Sequence, residues 1–159
     1  MKIIIEGVDG AGKTTLAKIL AEKYGLEICH CTQHDPADFY FYRETLRKEN
    51  VIWDRHTIGE LIYPLIFNRK AQITDVEAKA VIDIAKSEGV KIFVLTAPLE
   101  TLYKRLRTRD KDEHPRILAN LSLIDGAFKE CAKRMGVPVI DTTDMTLNEI
   151  FELIETKRR

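Results

Sequence analysis

Residues 3–24 read IIIEGVDGAGKTTLAKILAEKY, and they contain the clearest structural pattern in the chain. An apolar run comes first, a glycine-rich loop follows, and apolar residues then recur at helical spacing up to Gly25. Residues 7–14 match the pattern G-x-x-x-x-G-K-[ST] in full, between the strand and the helix that this pattern requires. The segment therefore predicts a phosphate-binding loop that opens the first helix of an α/β protein.

The residue types in this loop suit a nucleoside triphosphate. Glycines let the backbone wrap closely and point its N–H groups at phosphate oxygens. Lys13 places a positive charge near the β- and γ-phosphates, and the Thr14 hydroxyl can ligate Mg²⁺. The predicted donor and cofactor are therefore ATP and Mg²⁺. The predicted cofactor-binding residues of the loop are Gly7, Asp9, Gly10, Ala11, Gly12, Lys13, Thr14 and Thr15.

Short apolar runs alternate with longer amphipathic stretches along the whole chain. Further strands are predicted at residues 26–29, 51–53, 91–95 and 137–140, and further helices at 38–49, 58–67, 74–88, 99–109, 117–135 and after Thr146. Strands that alternate with helices favour a mostly parallel sheet with helices on both faces. Ligands of such sheets bind beyond the carboxyl ends of the strands, so the loops at that edge are where chemistry is expected.

Composition narrows the class of protein. The chain has 159 residues, 45% of them hydrophobic, which suits one folded domain over residues 1–159. Its 25 basic residues balance 25 acidic ones, so a general attraction to nucleic acid or to an anionic membrane is not expected. No apolar run is long enough to span a membrane. Three cysteines cannot all pair, which favours reduced thiols and a cytoplasmic location.

The loop also carries a family resemblance. Residues 6–15, EGVDGAGKTT, resemble the phosphate loop of thymidylate kinases, and the acidic Asp9 makes the match more specific than the loop pattern alone. The resemblance implies a P-loop three-layer sandwich with about five parallel strands in the order 2-3-1-4-5. It also implies that Asp9 lies near the sugar of the acceptor nucleotide.

A second motif closes the third predicted strand. Asp54 and Arg55 directly follow an apolar run, where a charged pair is costly to bury without partners. A phosphate on Arg55 and Mg²⁺ on Asp54 would satisfy both groups, and a structural salt bridge is the alternative. Residues 54–63, DRHTIGELIY, resemble the thymidylate kinase pattern D-R-Y/F/H followed by S-x-x-A-Y, which implies a substrate contact for Tyr63. Gly59 replaces the usual serine, and the run is also similar to the D-R-H-x-x-G-E pattern of phage-type deoxynucleotide kinases.

The acceptor pocket is less well defined by the sequence. Phe39 and Arg43 stand four residues apart, on one helix face. In thymidylate kinases, the Phe of a Phe-x-x-x-Arg helix stacks on the acceptor base, and the Arg forms hydrogen bonds with it. The resemblance therefore implies that Phe39 and Arg43 contact the acceptor here. Alternatively, Phe39 belongs to the core and Arg43 to the surface. The segment between Lys13 and Asp54 is shorter than in thymidylate kinases and lacks a helix, so the sequence does not determine which base the acceptor carries.

An arginine-rich lid is expected over about residues 105–116. A charge run of this kind is usually a solvated face, but it follows the helix after the fourth strand, where nucleoside monophosphate kinases have their lid. The resemblance implies that Arg105 and Arg109 contact the donor phosphates or the adenine. It implies the same, more weakly, for Asp141 and Thr142 after the last strand.

These features together predict a compact nucleoside monophosphate kinase that transfers the γ-phosphoryl group of ATP to a deoxynucleotide, dTMP above others. A small-molecule acceptor is the expected partner, and residues 58–67 could pair two subunits or pack within one. The predicted catalytic residues are Lys13, Asp9, Asp54, Arg55, Arg105 and Arg109. The predicted metal ligands are Thr14 and Asp54, and the predicted substrate contacts are Asp9, Phe39, Arg43, Arg55 and Tyr63.

Two other functions stay open on sequence grounds. A kinase that phosphorylates a nucleoside, or a hydroxyl of a modified nucleic acid, would use the same fold. It would need a base for the hydroxyl proton, and Asp9 or Asp54 could serve. The second alternative is a non-enzymatic nucleotide-binding regulator.

Overall fold

A five-stranded sheet forms the centre of the molecule. The structure, a computed structural model, describes residues 1–109 and 115–156. The strands are β1 (Lys2–Gly7), β2 (Glu27–Cys29), β3 (Val51–Asp54), β4 (Lys91–Thr96) and β5 (Val139–Asp141). They are all parallel and lie in the order β2-β3-β1-β4-β5. The predicted fold class and strand order are confirmed.

Helices cover both faces of this sheet. They are α1 (Lys13–Tyr24), α2 (Phe39–Thr45), α3 (Gly59–Ile66), α4 (Asp75–Ser87), α5 (Leu99–Arg109), α6 (Pro115–Ala119), α7 (Leu121–Met135) and α8 (Leu147–Glu155). Right-handed crossovers put α1 on one face and α2, α3, α4 and α7 on the other. Helix α8 packs on α1, where the rings of Tyr24 and Phe151 meet edge to face at 6.3 Å. Within the described residues, no helix is long and apolar enough to cross a membrane.

The central strand is buried on both sides. Ile3, Ile4 and Ile5 are all fully inaccessible, because β1 lies between β3 and β4 and under helices on each face. A strand covered on both faces needs a continuous apolar run rather than an alternating one. The first three isoleucines of the opening stretch therefore form the floor on which the phosphate-binding loop rests.

The carboxyl ends of β1, β3 and β4 meet at one edge. Ile5 pairs with Asp54, and Gly7 pairs with Leu95. At Gly7 the chain turns away from β1 with a φ of +133°, and a Cβ there would lie only 2.2 Å from the Leu95 carbonyl oxygen. Only glycine fits this approach, so the loop begins directly over the end of β4.

Two predicted helices differ from the observed ones. The helix expected at 38–49 ends at Thr45, whose hydroxyl donates to the Tyr42 carbonyl at 2.7 Å and takes the chain into a turn. The helix expected at 117–135 is split into α6 and α7 at Asn120, where the backbone leaves helical geometry. The Asn120 side-chain amide donates to the Arg116 carbonyl at 2.7 Å and stabilises the break.

Candidate active site

The phosphate-binding loop connects β1 to α1. Gly12 takes a left-handed conformation at the N-terminus of α1, so the first N–H groups of the helix face the loop. Lys13 is buried, and its Nζ donates to the Val8 carbonyl at 2.9 Å, which leaves two N–H bonds for other acceptors. Burial lowers the pKa of Lys13 to about 8, although Asp9 opposes this shift. The loop therefore has the helix N-terminus and the buried lysine that its predicted role in phosphate binding requires.

Two oxygen ligands lie together beside the loop. The Thr14 hydroxyl donates to Asp54 Oδ2 at 2.6 Å, because β3 ends next to β1 at this edge. His30 Nδ1 lies 3.6 Å from the same carboxylate oxygen. A hydroxyl and a carboxylate fit the preference of Mg²⁺ for oxygen ligands and leave room for water and phosphate in its shell. Both predicted metal ligands are thus next to each other.

Asp9, Arg55 and Tyr63 form a connected group above the loop. Arg55 Nη2 donates to Asp9 Oδ1 at 2.5 Å, and the Tyr63 hydroxyl donates to Asp9 Oδ2 at 2.5 Å. Burial raises the pKa of Asp9, but the charges of Lys13 and Arg55 outweigh burial and leave the pKa below its usual value. Arg55 has a φ of +75°, a conformation that costs energy in a residue with a side chain and is typical of functional sites.

His56 supports the turn that follows Arg55. Its ring lies between Tyr42 and Trp53, with Nε2 at 2.8 Å from the Thr45 hydroxyl and Nδ1 at 2.6 Å from the Thr57 hydroxyl. Burial lowers the pKa of His56 to about 3, so the ring is neutral at pH 7. The ring therefore holds the Arg55 turn against α2 rather than binding an anion.

A cavity of about 530 Å³ extends from the loop across α3. Its lining includes the charged residues Lys13, Asp54 and Arg55. It also includes the aromatic residues Tyr42, Tyr63 and Phe67 and the ion pair of Glu60 with Arg69. In that pair, Arg69 donates from Nη1 and Nη2 to the two carboxylate oxygens of Glu60, at 2.7 and 2.8 Å. The cavity thus combines charged groups next to the loop with aromatic rings and a second charged pair.

A second cavity of about 470 Å³ lies on the other side of the loop. Arg105 Nη1 donates to the Gly10 carbonyl at 3.1 Å and to the Thr142 hydroxyl at 3.0 Å. The Thr142 hydroxyl is also 3.0 Å from the Ala11 carbonyl oxygen, so α5 and the end of β5 are fixed to the loop. The residues around this cavity are Gly10, Gly12, Thr15, Leu16, Arg105, Thr108, Thr142, Met145, Leu147 and Ile150.

Proteins named as nucleotide kinases are similar in sequence to this chain over nearly its whole length. The chain is 30% identical over 177 residues to "Cytidylate kinase 2" of Borreliella burgdorferi, a match that covers 97% of this chain and 93% of that protein. The chain belongs to the P-loop nucleoside monophosphate kinases. The kinase is also 27% identical over 183 residues to "Probable thymidylate kinase" of Methanocaldococcus jannaschii, covering 97% and 93% of the two chains. No protein-family model matches it.

Solved structures share the fold of this kinase. The YorR protein of Bacillus subtilis, in complex with phosphorylated GDP, superposes with a TM-score of 0.79 at 24% identity, covering 94% of this kinase and 91% of that chain. Deoxyadenosine kinase from M. mycoides with bound dCTP superposes with a TM-score of 0.60 at 20% identity, covering 97% and 96%. At these identities the similarity concerns the fold alone.

Helix α2 does not turn its predicted face toward the first cavity. Phe39 packs against the core and meets the Tyr40 ring edge to face. Arg43 Nη1 lies 3.7 Å from Glu88, which caps the end of α4 shortly before β4 begins at Lys91, so Arg43 faces the amino ends of the strands. Neither residue lines the cavity, whereas Tyr42 of the same helix does. The predicted base contacts of Phe39 and Arg43 are corrected accordingly: the helix turns a different face to the site.

Only part of the predicted lid lies within the described residues. Arg105 reaches the loop, while residues 110–114 and the Arg109 side chain lie outside the described part of the chain. Thr142 lines the second cavity, but Asp141 does not. The Asp141 carboxylate accepts from the Thr143 backbone N–H and hydroxyl, at 2.8 and 2.6 Å. The expected nucleotide contact of Asp141 is therefore not supported, because this turn uses its carboxylate.

Sequence reasoning missed three charged groups of the site. Glu60 and Arg69 form the ion pair of the first cavity, and Glu6 is fully buried beneath the start of α3. Glu6 Oε1 accepts from the Ile58 N–H at 2.6 Å, while its Oε2 has no hydrogen-bond partner in the described structure. A charged residue inside an apolar segment indicates a buried charge that needs a partner, and this sequence signal is present at both Glu6 and Glu60.

The buried Glu6 makes stability depend on pH. Burial raises the pKa of Glu6 from 4.5 to about 7, so the folded protein keeps a proton that the unfolded chain releases. Its contribution to the free energy of unfolding is fully present below pH 4.5 and is lost as the pH rises through 7. Between pH 5 and 8, urea unfolding should therefore show that Glu6→Gln gains about 3 kcal/mol relative to the wild type.

The control for this measurement is Glu22→Gln, the same change at an exposed position of α1. Its stability should follow the wild-type pH curve. Parallel curves for Glu6→Gln and the wild type would contradict the assigned titration of Glu6.

Proposed function

We propose that this kinase transfers the γ-phosphoryl group of ATP to a pyrimidine deoxynucleoside or ribonucleoside monophosphate. The observation that carries the proposal is the position of the phosphate-binding loop between two cavities, with Gly10 and Gly12 shared by both. A donor base in the second cavity and an acceptor in the first would bring their phosphates together over the loop. This geometry favours transfer between two nucleotides.

Phosphoryl transfer needs alignment and charge neutralisation more than covalent chemistry. Lys13 and the loop N–H groups would hold the β- and γ-phosphates, and Arg55 would bind the transferring group or the acceptor phosphate. Thr14 and Asp54 would hold Mg²⁺, which supplies charge stabilisation at the phosphate oxygens. Asp9 and Tyr63 would orient the acceptor sugar and Arg55. The acceptor phosphate is already an anion, so no general base is required.

Different observations support two particular acceptors. The P-loop Asp9, the Asp54-Arg55 pair and Tyr63 support dTMP, in line with the relatives named thymidylate kinase. The relatives named "Cytidylate kinase 2", at 28–30% identity, support a cytidylate. We also retain as proposals a cytoplasmic location and a homodimer through α3, where Leu65 is 82% exposed.

The test is a coupled assay of ADP release with ATP, Mg²⁺ and a panel of acceptors. The panel contains dTMP, dUMP, CMP, dCMP, dAMP, dGMP, thymidine and an oligonucleotide. Saturable turnover with a pyrimidine monophosphate would support the proposal. Turnover with thymidine or the oligonucleotide alone would overturn it in favour of a hydroxyl acceptor, for which Asp9 or Asp54 would act as base.

Arg105 provides a test of the donor cavity. Arg105→Ala removes the guanidinium that reaches the Gly10 carbonyl and Thr142, so we expect kcat/KM for ATP to fall about 100-fold. The matched control is Lys104→Ala, which removes an exposed basic residue of the same helix outside the predicted lid. Steady-state kinetics with varied ATP measure both variants. Equal kinetics for the two would show that Arg105 has no role in donor binding.

A further inference from the structure

Tyr42 is a buried residue of α2 whose hydroxyl has no hydrogen-bond partner among the described residues. The residue is 3% exposed, and its ring packs against the His56 ring with the centroids 4.9 Å apart. Its hydrogen bonds with other described residues use the backbone alone, with Asp38 and Thr45 as partners. A buried tyrosine hydroxyl usually finds a partner, because burial takes away the water that it bonds in solution. The unused Tyr42 hydroxyl therefore indicates a site for a ligand.

The Tyr42 oxygen can be reached from the first cavity. Within the described part of the chain, two unpartnered side-chain atoms are sealed from solvent, Glu6 Oε2 and Arg69 Nε. The Tyr42 oxygen is not one of them, and the Tyr42 side chain lines the first cavity. A molecule bound in this cavity can therefore form the hydrogen bond that the protein leaves unmade.

The surroundings of this hydroxyl favour an uncharged partner. Burial raises the pKa of Tyr42 above its usual value, and the Glu60 and Asp35 carboxylates raise it further, so the hydroxyl keeps its proton. The same carboxylates would repel a phosphate, whereas Lys13 and Arg55 supply positive charge elsewhere along the cavity wall. A neutral hydroxyl both donates and accepts hydrogen bonds, so it suits the uncharged part of a nucleotide.

Two parts of an acceptor nucleotide are uncharged, its sugar and its base. In the proposed function the sugar lies beside Asp9 and Tyr63, which are bonded to each other. Tyr42 is close to a different pair, since the Glu60 charge acts on its hydroxyl and Tyr42 in turn interacts electrostatically with Arg69. The base is therefore the part of the acceptor that remains for Tyr42.

We propose that the Tyr42 hydroxyl forms a hydrogen bond with the base of the acceptor nucleotide. This inference rests on the proposed function, because that function places the acceptor in the first cavity. The hydroxyl can donate to a base oxygen or ring nitrogen and can accept from an amino group, so the contact serves cytosine and thymine alike. Tyr42 thus takes the place of the corrected contacts of Phe39 and Arg43, from another face of the same helix.

The decisive variant is Tyr42→Phe, which removes the hydroxyl and keeps the ring that packs on His56. We expect KM for dTMP and CMP to rise about 3- to 10-fold, while kcat and KM for ATP stay within about twofold of the wild type. The melting temperature of the free protein should not fall, because no described protein group bonds the hydroxyl. Steady-state kinetics and thermal unfolding measure these quantities.

The matched control is Tyr40→Phe, the same change on the same helix at a residue that is 79% exposed and does not line the cavity. It should leave every kinetic constant unchanged. An unchanged acceptor KM in Tyr42→Phe would overturn the proposal, since water would then be the partner of the hydroxyl. A lower melting temperature with equal losses for ATP and both acceptors would also overturn it, since it would indicate a structural role.

Analogues of the acceptor separate the base from the sugar. The 5′-monophosphate of a phenyl C-deoxynucleoside has a ring of pyrimidine size without polar atoms, so its inhibition constant should be the same for the wild type and Tyr42→Phe. The 3′-deoxy analogues of dTMP and CMP, and dCMP, change the sugar alone and should keep the full loss of about 3- to 10-fold. A loss that persists with the phenyl compound, or disappears with a sugar analogue, would overturn the assignment to the base.

Failure of the proposed function has a different signature. If no monophosphate is phosphorylated while ATP still binds, calorimetry with dTMP and CMP compares the wild type with Tyr42→Phe. Binding of either nucleotide that weakens about 3- to 10-fold in the variant would support the Tyr42 contact without catalysis. Equal binding to both proteins, or no binding of either nucleotide, would overturn it.

Discussion

Lys13→Met is expected to lower kcat about 1,000-fold while the protein stays folded. The Lys13 ammonium belongs to the first residue of α1 and has two N–H bonds beyond the one it donates to the Val8 carbonyl of the loop. Removing it takes away a preorganised positive charge where negative charge concentrates during transfer. Methionine retains the apolar stem, so the packing of the buried side chain is preserved. Single-turnover kinetics at saturating ATP measure the chemical step.

The matched control is Lys18→Ala, on an exposed position of the same helix. It should retain wild-type kcat. A Lys13→Met enzyme with more than a tenth of wild-type kcat would mean that Lys13 does not act on the transferring group.

Arg55→Gln is expected to have an effect of the same size, with kcat lowered about 1,000-fold. Arg55 is held by Asp9 in a left-handed turn at the end of β3, next to the loop and Lys13. A planar guanidinium can bind two phosphate oxygens at once, which a neutral amide cannot do. Arg55→Lys keeps the charge but not the two-pronged contact, so it should recover part of the activity.

The stability of these variants needs separate measurement. Arg55→Gln leaves the carboxylate of Asp9, a residue that is 8% exposed, with the Tyr63 hydroxyl as a hydrogen-bond donor. The Arg55 side chain is 44% exposed, so water replaces part of the lost contact, and we expect the free energy of unfolding to fall by about 1–2 kcal/mol. Thermal unfolding must therefore accompany the kinetics, with Arg47→Gln as control, because Arg47 is an exposed arginine in an exposed ion pair with Glu44. Wild-type kcat in a folded Arg55→Gln enzyme would contradict the assigned role.

Local patterns predicted most of the fold, and they also predicted that Asp54 lies beside the glycine-rich loop. The loop pattern, the three isoleucines and the capping boxes at Thr74 and Thr146 each depend on residues close together in sequence. Asp54 and Arg55 were also predictable, because a charged pair that ends an apolar strand must lie at the ligand edge of a parallel sheet. Thr14 and Asp54 meet there for the same reason.

The residues that line the rest of the first cavity could not be predicted from such local patterns. Phe39 and Arg43 share a helix face, but helical spacing does not tell which way that face turns. The orientation of α2 results from its packing, in which Tyr42 is buried and reaches the cavity, while Arg43 faces Glu88. Arg69, nine residues from its partner Glu60 in the chain, had no motif that pointed to it.

Contiguous residues were enough to predict a parallel α/β kinase with a phosphate-binding loop after β1, because strand, glycine loop, lysine and helix follow one another in the chain. The lining of the first cavity away from this loop could be known only from the folded chain. Its side chains come from α2, α3 and the turn after α3, and they meet through packing rather than through neighbouring positions in the chain.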